Sequence, residues 1–552
     1  MKFKRIFLLL FLASCVFAQN PQQTWQQYKT PEEAGWSSGK LQIAKAYYDS
    51  LDAAAFMAIY DGNVLVSWGE VSRRFMCHSI RKSFLSGLYG VYVAEGKIDL
   101  DKTLADLNID DKDKLTDVEK QAKVRDLLKA RSGVYHSAAY ETAGMRRRRP
   151  KRDSHPPNTF WYYNNWDFNT AGAIFEKETG TDIFVAFKNR IADPLQMQDY
   201  RVSDGYHHLE AHNSIYPAYP FRMSAQDMAR YGLLFLRAGR WNDEQIISKE
   251  WIKESTTSYS EASEGGYGYM WWIEGPVKAP GMYFALGAGG HVIGVVQEEN
   301  LVIIMRVNTY VGDRVRTSET LELVAKIRSA KISEPNPNPE LVALEVPSKS
   351  MSFVDLDDRT LDMYVREYEF NNQTMSVKKS GHGLLVDVPS SGKFTISPLS
   401  RTKFFVEDSE RFLIFELDES GKPNRLTLHS SNSIADLYQT IADKGIAAAV
   451  KQYHAMSNSQ SHFFSESELN RLGYQLLGVN RVTDAIEIFK LNVKAYTGAF
   501  NTYDSLGEAY MINKQYELAT KNFKKSLELS PNNVNAEEML KKMNEKVSTK
   551  SQ

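Results

Sequence analysis

A serine and a lysine three residues apart, Ser79 and Lys82, are the residues of this chain best placed to carry out chemistry. They stand in the stretch RFMCHSIRKSFLSGLYGVYVAEGKIDLD, residues 74–101, in which apolar residues recur at mixed helical spacing until Gly96. This pattern predicts a largely buried helix that begins near Ser79 and has a glycine cap. Residues three apart share one helix face, so the Lys82 amine can reach the Ser79 hydroxyl.

The setting of this pair favours a nucleophilic serine with a lysine base. Backbone N–H groups and partial positive charge at a helix N-terminus can bind an oxyanion. Desolvation and the positive dipole lower the pKa of a lysine, so that it can act as a neutral base. The alternative is an N-cap serine beside a solvated lysine. Other Ser-x-x-Lys pairs lack this setting; they include one in a Gly/Ser turn, Ser37/Lys40, and two in a β-rich tail, Ser390/Lys393 and Ser400/Lys403.

A serine–lysine enzyme also needs a group that passes the proton to the leaving group, and a second oxyanion donor. The segment TFWYYNNWDFNTAGAIFEKETG, residues 159–180, offers Tyr163 and Asn165 before a predicted helix. Tyr163 can carry that proton, and Asn165 can hydrogen-bond the lysine or a substrate carbonyl. The alternative is an aromatic loop that packs on the core.

The run GAGG at residues 287–290 precedes a predicted strand. It permits close approach of the backbone to a ligand and can supply the second oxyanion N–H, the alternative being a β-bulge. Cys77 lies two residues before Ser79; it is expected to be a small buried residue, with a nucleophile as the alternative.

No metal or nucleotide motif stands out. His208 and His212 have the i,i+4 spacing of a metal pair, but the order His-Leu-Glu-Ala-His is not that of the zinc proteases. We find no nucleotide-binding glycine loop. The sequence therefore predicts neither a metal site nor a cofactor.

Five segments in order, HSIRKSF, GKIDLDKTL, LLKARSGVYH, WYYNNWDF and AGGH, resemble the β-lactamase-related serine hydrolases. That family includes class C β-lactamases, D-alanyl-D-alanine carboxypeptidases, family VIII esterases and 6-aminohexanoate-dimer hydrolase. The resemblance covers about residues 30–330. It implies an α/β (α+β) domain of the β-lactamase/transpeptidase type, with an antiparallel sheet and helices.

The resemblance also implies a role for each site residue. Ser79 would be the acylated nucleophile, Lys82 its base and Tyr163 the proton carrier. The oxyanion hole would consist of the N–H groups of Ser79 and Ala288, next to Gly287. Tyr162 also fits the Tyr-x-Asn motif; Tyr163 is preferred because it places the aromatic residue and the glycine that follow, Phe168 and Gly172, where the family pattern has them.

One departure from the family pattern concerns the substrate. In the penicillin-binding relatives, the strand motif Lys/His-Thr/Ser-Gly supplies a cation that helps to hold the substrate carboxylate. Residues 285–287 of this chain read Ala-Leu-Gly, without the cation, which favours an ester or amide without an essential carboxylate. A shifted alignment would bring His291 into the pocket instead. The basic run GMRRRRPKRDSHPP, residues 144–157 with Arg146 to Arg149, is interpreted as a solvated loop, with contact to an anionic substrate as the alternative.

The N-terminus, MKFKRIFLLLFLASCVFAQN, has basic residues, a short apolar run and small residues, which predict a secretory signal over residues 1–18. Cleavage after Ala18 predicts a periplasmic protein; LASC alternatively resembles a lipoprotein signal that would put a lipid on Cys15. No later segment is long enough for a transmembrane helix. The formal net charge of −1 does not suggest a nucleic-acid partner.

The length of 552 residues is enough for about three or four domains. We predict a hydrolase domain over 25–330 whose first and last hairpins, turning at Asp61-Gly62 and at residues 298–300, share one sheet. A Pro-rich linker over 331–345 and a small antiparallel β domain over 346–440, a barrel or sandwich, are expected to follow.

Residues 441–548 contain an internal repeat of 34 residues. Leu472, Gly473, Ala485 and Phe489 recur as Leu506, Gly507, Ala519 and Phe523. This pattern predicts tetratricopeptide (TPR) helix pairs, in which small residues let paired helices approach closely, and it predicts a protein partner. Two clear units are fewer than usual, so a further helix is expected as a partial third unit, unless the array packs on the β domain.

These features together predict a secreted serine hydrolase that acts on a small-molecule or peptide-like ester or amide. Two alternatives remain open. One is a β-lactamase or D-alanyl-D-alanine carboxypeptidase, against which the missing cation argues. The other is a non-catalytic TPR-containing binding protein, against which the intact Ser79, Lys82 and Tyr163 argue.

Overall fold

The computed structural model describes residues 20–262, 265–273, 282–311, 313–346, 353–370, 373–380, 383–388, 392–406, 411–429, 431–458, 464–531 and 533–548. The predicted signal peptide and Cys15 lie outside these residues. The chain divides into two units between residues 347 and 348. No helix of the described ranges combines the length and apolar character needed to cross a membrane.

The strands of the first unit form one large sheet and two small ribbons. Ten strands make the large sheet in the order β14-β1-β3-β2-β13-β12-β11-β10-β9-β8, in which only the β1–β3 pair is parallel. The strands are β1 (Gln26–Tyr28), β2 (Ala53–Tyr60), β3 (Asn63–Gly69), β4 (Phe75–Met76), β5 (Arg222–Met223), β6 (Arg240–Trp241), β7 (Glu244–Gln245), β8 (Glu261–Ala262), β9 (Gly265–Tyr267), β10 (Trp272–Ile273), β11 (Met282–Gly287), β12 (His291–Val296), β13 (Leu301–Val307) and β14 (Leu341–Ala343).

Helices cover both faces of the large sheet. They are α1 (Ser38–Asp49), α2 (Arg81–Ala94), α3 (Val124–Leu128), α4 (Ala143–Arg148), α5 (Asn165–Thr179), α6 (Ile183–Phe187), α7 (Ala225–Leu236), α8 (Lys249–Ser255) and α9 (Thr317–Ser329). Successive side chains of a strand point to opposite faces. Met57 of β2 therefore joins the larger core with α2, α5 and α7, whereas its neighbour Phe56 packs with α1 and α9. This layered α/β fold is the one that the resemblance implied.

Both predicted hairpins are present. Strands β2 and β3 turn at Asp61 and Gly62, which both have positive φ, and β12 and β13 turn at Asn300 in the left-handed region. The two hairpins meet where β2 pairs with β13, so the terminal strands share one sheet. The predicted linker over 331–345 differs from the structure in one respect: residues 341–343 form edge strand β14 on β1. This strand has exposed side chains and no alternating pattern, so only its backbone pairing marks it.

The second unit begins with a short helix and a seven-stranded antiparallel sheet in sequential order. Its first and last strands approach each other, so the sheet curls into a nearly closed barrel, as predicted. The elements are α10 (Asp358–Asp362), β15 (Glu367–Phe370), β16 (Gln373–Ser380), β17 (Gly383–Val388), β18 (Gly392–Pro398), β19 (Lys403–Val406), β20 (Arg411–Leu417) and β21 (Pro423–His429).

A helical region follows the barrel and begins at residue 432, before the predicted boundary at 441. Its members are α11 (Asn432–Lys444), α12 (Ile446–Asn458), α13 (Glu466–Gly478), α14 (Val482–Ala495), α15 (Phe500–Ile512), α16 (Tyr516–Leu529) and α17 (Val534–Ser548). Phe412 and Ile414 of β20 share a core with α11, so the helices pack on the barrel. Helix α12 also docks on α11 and α14 and contributes Ala449 and Tyr453 to the same core. Both arrangements that the sequence left open are therefore present.

Candidate active site

A short turn between β4 and α2 presents Ser79. His78 has φ +49°, a left-handed conformation that histidine tolerates better than most residues, and Ser79 follows it in a 3-10 turn. The N–H of Cys77 donates to the Phe221 carbonyl at 2.8 Å. The buried Arg306 guanidinium donates to the Phe75 carbonyl at 2.6 Å, which fixes the strand that leads into the turn.

Lys82 and Tyr163 converge on this serine. Lys82 Nζ lies 2.9 Å from Ser79 Oγ and 2.8 Å from the Tyr163 hydroxyl. The lysine comes from the first turn of α2, and the tyrosine from the segment just before α5. The rings of Tyr163 and Phe168 also flank Nζ, at 4.7 and 4.9 Å from their centroids. The structure therefore brings the three predicted catalytic residues into one hydrogen-bonded cluster.

The electrostatics of the cluster suit proton transfer from serine to lysine. Burial holds the pKa of Lys82 well below its usual value, and the neighbouring Arg81 cation lowers it further. Burial raises the pKa of Tyr163 to about 12, although its hydrogen bond with Ser79 acts in the opposite direction. At neutral pH this favours a neutral amine beside a protonated phenol.

Tyr162, the other candidate of the Tyr-x-Asn motif, points elsewhere. Its hydroxyl donates to the Met145 carbonyl at 2.8 Å, so only Tyr163 faces Lys82. Asn165 is buried at the start of α5 and donates through Nδ2 to the Tyr140 carbonyl at 2.7 Å. Its Oδ1 is buried without a hydrogen-bond partner in the described structure, which leaves an acceptor for a substrate N–H.

The glycine-rich run lies beside the nucleophile turn, as an oxyanion donor would require. A Cβ placed on Gly287 would meet the Cys77 carbonyl oxygen at 2.5 Å, so only glycine allows β11 to approach the residues before Ser79 this closely. Ala288 follows at the exposed turn between β11 and β12. Gly289 and Gly290 have φ +92° and +104°, which side chains rarely adopt.

His291 does not supply the missing cation. Its ring is fully buried, 5.3 Å from that of His78, and Nδ1 accepts the Val307 N–H at 3.4 Å. Burial is the main reason that its pKa lies well below the ordinary value, so the ring is neutral. We therefore correct the expectation that a shifted alignment brings His291 into the pocket: it packs behind the nucleophile turn.

Cys77 and two serines of the other Ser-x-x-Lys pairs, Ser37 and Ser400, have structural roles. Burial raises the pKa of the Cys77 thiol to about 12, which excludes a ready thiolate. Ser37 is the N-cap of α1 and accepts the Lys40 N–H at 3.4 Å. The Ser400 hydroxyl accepts the N–H of Lys403, whose amine is paired with Asp436. Ser390 lies outside the described residues.

The histidines in YHHLEAHN do not form a metal pair, since they lie in a bridge and a turn and not on a helix. Among the described residues, one group has atoms close enough to hold a metal ion: Glu176, Asp182 and His207. His207 already pairs with Glu176 at 3.0 Å, and Asp182 caps α6 through the N–H groups of Phe184 and Val185. This group is explained by those contacts.

Sequence reasoning missed the role of Arg81. Its buried guanidinium donates to Asn169 Oδ1 at 2.8 Å and lies 4.2 Å from the Tyr219 ring centroid. Its positive charge lowers the pKa of Lys82 further. The available signal was a second cation beside Lys82 inside a helix that the apolar pattern predicts to be buried.

Comparison with known families agrees with this fold. The beta-lactamase family model matches residues 43–326, just over half of the 552 residues. The chain belongs to the beta-lactamase family. A search of curated proteins gave no significant match.

Several solved structures are similar to the chain at low sequence identity. A family VIII carboxylesterase is 16% identical over 55% of this chain and 99% of that chain, with a TM-score of 0.43. An octameric penicillin-binding protein homologue from Pyrococcus abyssi is 18% identical over 71% and 98%, with a TM-score of 0.41. A β-lactamase from Mycobacterium bovis is 18% identical over 53% and 97%, with a TM-score of 0.38.

Proposed function

We propose that this protein is a serine hydrolase that cleaves an ester or amide through an acyl-enzyme on Ser79. The observation that carries the proposal is the position of Lys82 Nζ between two hydroxyl groups, 2.9 Å from Ser79 and 2.8 Å from Tyr163. A nucleophile and its base within hydrogen-bond reach, with a third group holding the base, is the arrangement that nucleophilic catalysis needs. No cofactor takes part in the proposed reaction.

In the first half-reaction, the neutral Lys82 amine takes the Ser79 proton as Oγ attacks the substrate carbonyl. The N–H groups of Ser79 and Ala288 stabilise the oxyanion, and Gly287 lets them lie close together. Tyr163 donates its proton to the leaving group and regains one from Lys82, so the carbonyl–leaving-group bond breaks without forming a free anion. Water then attacks the acyl carbonyl and gives a proton to the same pair. That proton passes to Ser79 Oγ as the bond between Oγ and the acyl carbon breaks, which releases the acid and restores Ser79.

The chain contains its own matched controls for the test. Hydrolysis of a panel of phenyl esters and anilides is measured for the wild type, Ser79→Ala, Ser37→Ala and Ser400→Ala. All three serines belong to Ser-x-x-Lys pairs, but only Ser79 faces a buried lysine amine. The proposal expects turnover that only Ser79→Ala abolishes; equal turnover by Ser79→Ala would refute it.

Residues 285–287 lack the cation of the penicillin-binding relatives, and this favours an esterase or amidase over a β-lactamase or carboxypeptidase. Ala285 and Gly287 are buried, and His291, the nearby histidine, is fully buried and neutral. We therefore expect little hydrolysis of the cephalosporin nitrocefin or of a D-alanyl-D-alanine peptide. Turnover of either at a rate above that of the best ester would favour the alternative.

A second candidate activity, protein binding by the helical region, is favoured by its repeat geometry. A Cβ on Gly473 would meet the Phe489 ring at 2.4 Å, and one on Gly507 would meet the Phe523 ring at 2.9 Å. These equivalent contacts recur 34 residues apart, which supports a TPR interpretation and a protein partner. Pull-downs with and without residues 465–545 test this idea; recovery of the same proteins by both would contradict it. A purely binding role remains the alternative if Ser79 proves inert.

The proposed setting is the periplasm. It rests on the basic, apolar and small residues of the first 18 positions, with a lipid on Cys15 as the alternative. Mass spectrometry of the mature N-terminus distinguishes the two: cleavage after Ala18 gives an unmodified Gln19, whereas the lipoprotein route gives an acylated Cys15.

A further inference from the structure

A dense group of cations lies in the chain next to the catalytic cluster. We call residues 146–152 the basic segment; it consists of Arg146, Arg147, Arg148, Arg149, Pro150, Lys151 and Arg152. The protein as a whole has a formal net charge of −1, so this concentration is local. It comprises the end of α4 and the residues that follow.

Two arginines anchor the basic segment to buried carboxylates. Arg149 pairs with Glu141, whose side chain is 3% exposed, and also donates to the Ser137 hydroxyl at 3.1 Å. Arg152 donates to Glu119 at 2.8 Å, and this carboxylate is 1% exposed. Separating an arginine from a buried carboxylate is strongly unfavourable, because it would leave a buried charge without a partner. The backbone of the basic segment is therefore fixed in place.

The other four cations have no such partner. Arg146, Arg147, Arg148 and Lys151 are exposed, and none forms an ion pair within the described parts of the chain. Arg146 donates only to the Glu141 carbonyl. Like charges on one helical turn destabilise it, whereas cations near a helix C-terminus are mildly favoured. The anchors thus hold four unneutralised positive charges together on the surface.

The basic segment is linked to the residues on both sides of Tyr163. The Tyr162 hydroxyl donates to the Met145 carbonyl, directly before Arg146. Asn165 donates to the carbonyl of Tyr140, directly before the anchor Glu141. In the proposed mechanism Tyr163 protonates the leaving group, and these two hydrogen bonds attach the basic segment to the residues on either side of that proton donor.

We propose that the basic segment binds negative charges on the leaving-group portion of the substrate, which therefore carries at least two anionic groups. This inference rests on the proposed function. The basic segment is distinct from the strand at residues 285–287, where penicillin-binding relatives have a cation that helps to hold the substrate carboxylate. A group of like charges beside a cleft raises the association rate and local concentration of oppositely charged ligands by about 10- to 1000-fold.

Three butyrate esters with the same acyl group test the proposal: phenyl butyrate, 3-(butyryloxy)benzoate and 5-(butyryloxy)isophthalate, with zero, one and two negative charges. They form one acyl-enzyme, so their kcat/KM values differ only through the leaving group. We expect the dianion to exceed the neutral ester by about 10-fold or more at low salt. The advantage should shrink as salt rises from about 20 to 500 mM, because screening weakens exposed charge interactions.

Charge reversal assigns the effect to the basic segment. Arg147→Glu with Arg148→Glu should lower the dianion-to-neutral ratio of kcat/KM by about 10- to 100-fold. Lys521→Glu with Lys524→Glu changes the net charge equally on exposed positions of α16 and should leave the ratio as in the wild type.

Two results would overturn the proposal while leaving the proposed function intact: no preference for the dianion in the wild type, or a ratio that the Arg147/Arg148 variant does not change. Equal losses on all three esters would indicate a structural role and would also overturn it. Failure to hydrolyse any of the three esters, together with no serine labelling, would refute the proposed function and this inference with it.

Discussion

The Lys82 amine lies 2.8 Å from the Tyr163 hydroxyl, and no carboxylate of the described residues pairs with it. Its other close polar neighbour is the Ser79 hydroxyl at 2.9 Å. A buried lysine without a counter-ion is stabilised in the neutral form. The account of this protein depends on that property, because only a neutral amine can accept the serine proton.

Lys82→Arg should abolish most of the activity, although it keeps a positive charge and several hydrogen-bond donors. Arginine stays protonated and cannot act as a base. The expected loss is about 10²- to 10⁴-fold in kcat, the usual contribution of a positioned base. Lys40→Arg, at the solvent-exposed pair, is the matched control and should have no effect. Activity near that of the wild type in Lys82→Arg would rule out the base role.

The pH dependence of the wild-type activity should follow the protonation of Lys82. The pKa of Lys82 is lowered, so the amine is neutral above that lowered value and protonated below it. Activity should therefore fall as pH decreases through the lowered pKa, and it should already be close to its maximum well below pH 10.5. A profile of kcat/KM for phenyl butyrate checks this. A loss of activity centred near pH 10.5 would contradict the prediction, because it would mean that burial does not lower the pKa of Lys82.

Lys82→Met should make the protein more stable at neutral pH. Between the lowered folded-state pKa and 10.5, the unfolded chain binds a proton at Lys82 that the folded chain does not, so the lysine destabilises the fold. Removing it should raise the free energy of unfolding at pH 7 by about 0.5–2 kcal/mol, the usual range for a single stabilising substitution.

Chemical denaturation at two pH values measures the effect. The gain should be smaller near pH 10.5, where the unfolded lysine also loses its proton. Lys40→Met, at an exposed position, should change the stability little at either pH. A Lys82→Met protein that is less stable than the wild type at pH 7 would contradict the prediction.

Gly287→Ala should impair catalysis while preserving the fold. The new methyl group would meet the Cys77 carbonyl oxygen at 2.5 Å, and the two segments that supply the oxyanion N–H groups must move apart. Loss of one oxyanion donor lowers kcat by about 10²- to 10³-fold. Gly39→Ala is the control, because its nearest neighbour would be Ser37 Oγ at 3.8 Å. Kinetics together with circular dichroism of both variants make the measurement.

Much of this architecture follows from local patterns. The apolar run after Ser79 predicts α2, and the turn residues Asp61-Gly62 predict the β2–β3 hairpin. The paired glycines Gly473 and Gly507 predict two close helix contacts. In each case the physical cause lies within a few tens of residues, so periodicity and turn chemistry are sufficient.

The parts that escaped prediction depend on distant contacts. The left-handed conformation of His78 is held by packing between β4, β5 and β13, which come together only in the folded chain. The burial of His291 follows from its pairing within the central sheet and not from its neighbours in sequence. Strand β14 is marked only by backbone hydrogen bonds to β1. Single-sequence reasoning has no signal for such contacts.

The intact mass of the protein after treatment with a fluorophosphonate tests the central claim most directly. These reagents phosphonylate an activated serine, so the wild type should gain the mass of one label, and Ser79→Ala should gain none. Ser400→Ala, the control at another Ser-x-x-Lys pair, should gain the same label as the wild type. An unlabelled wild type in a folded sample, or a label that persists in Ser79→Ala, would contradict the assignment of Ser79 as the nucleophile.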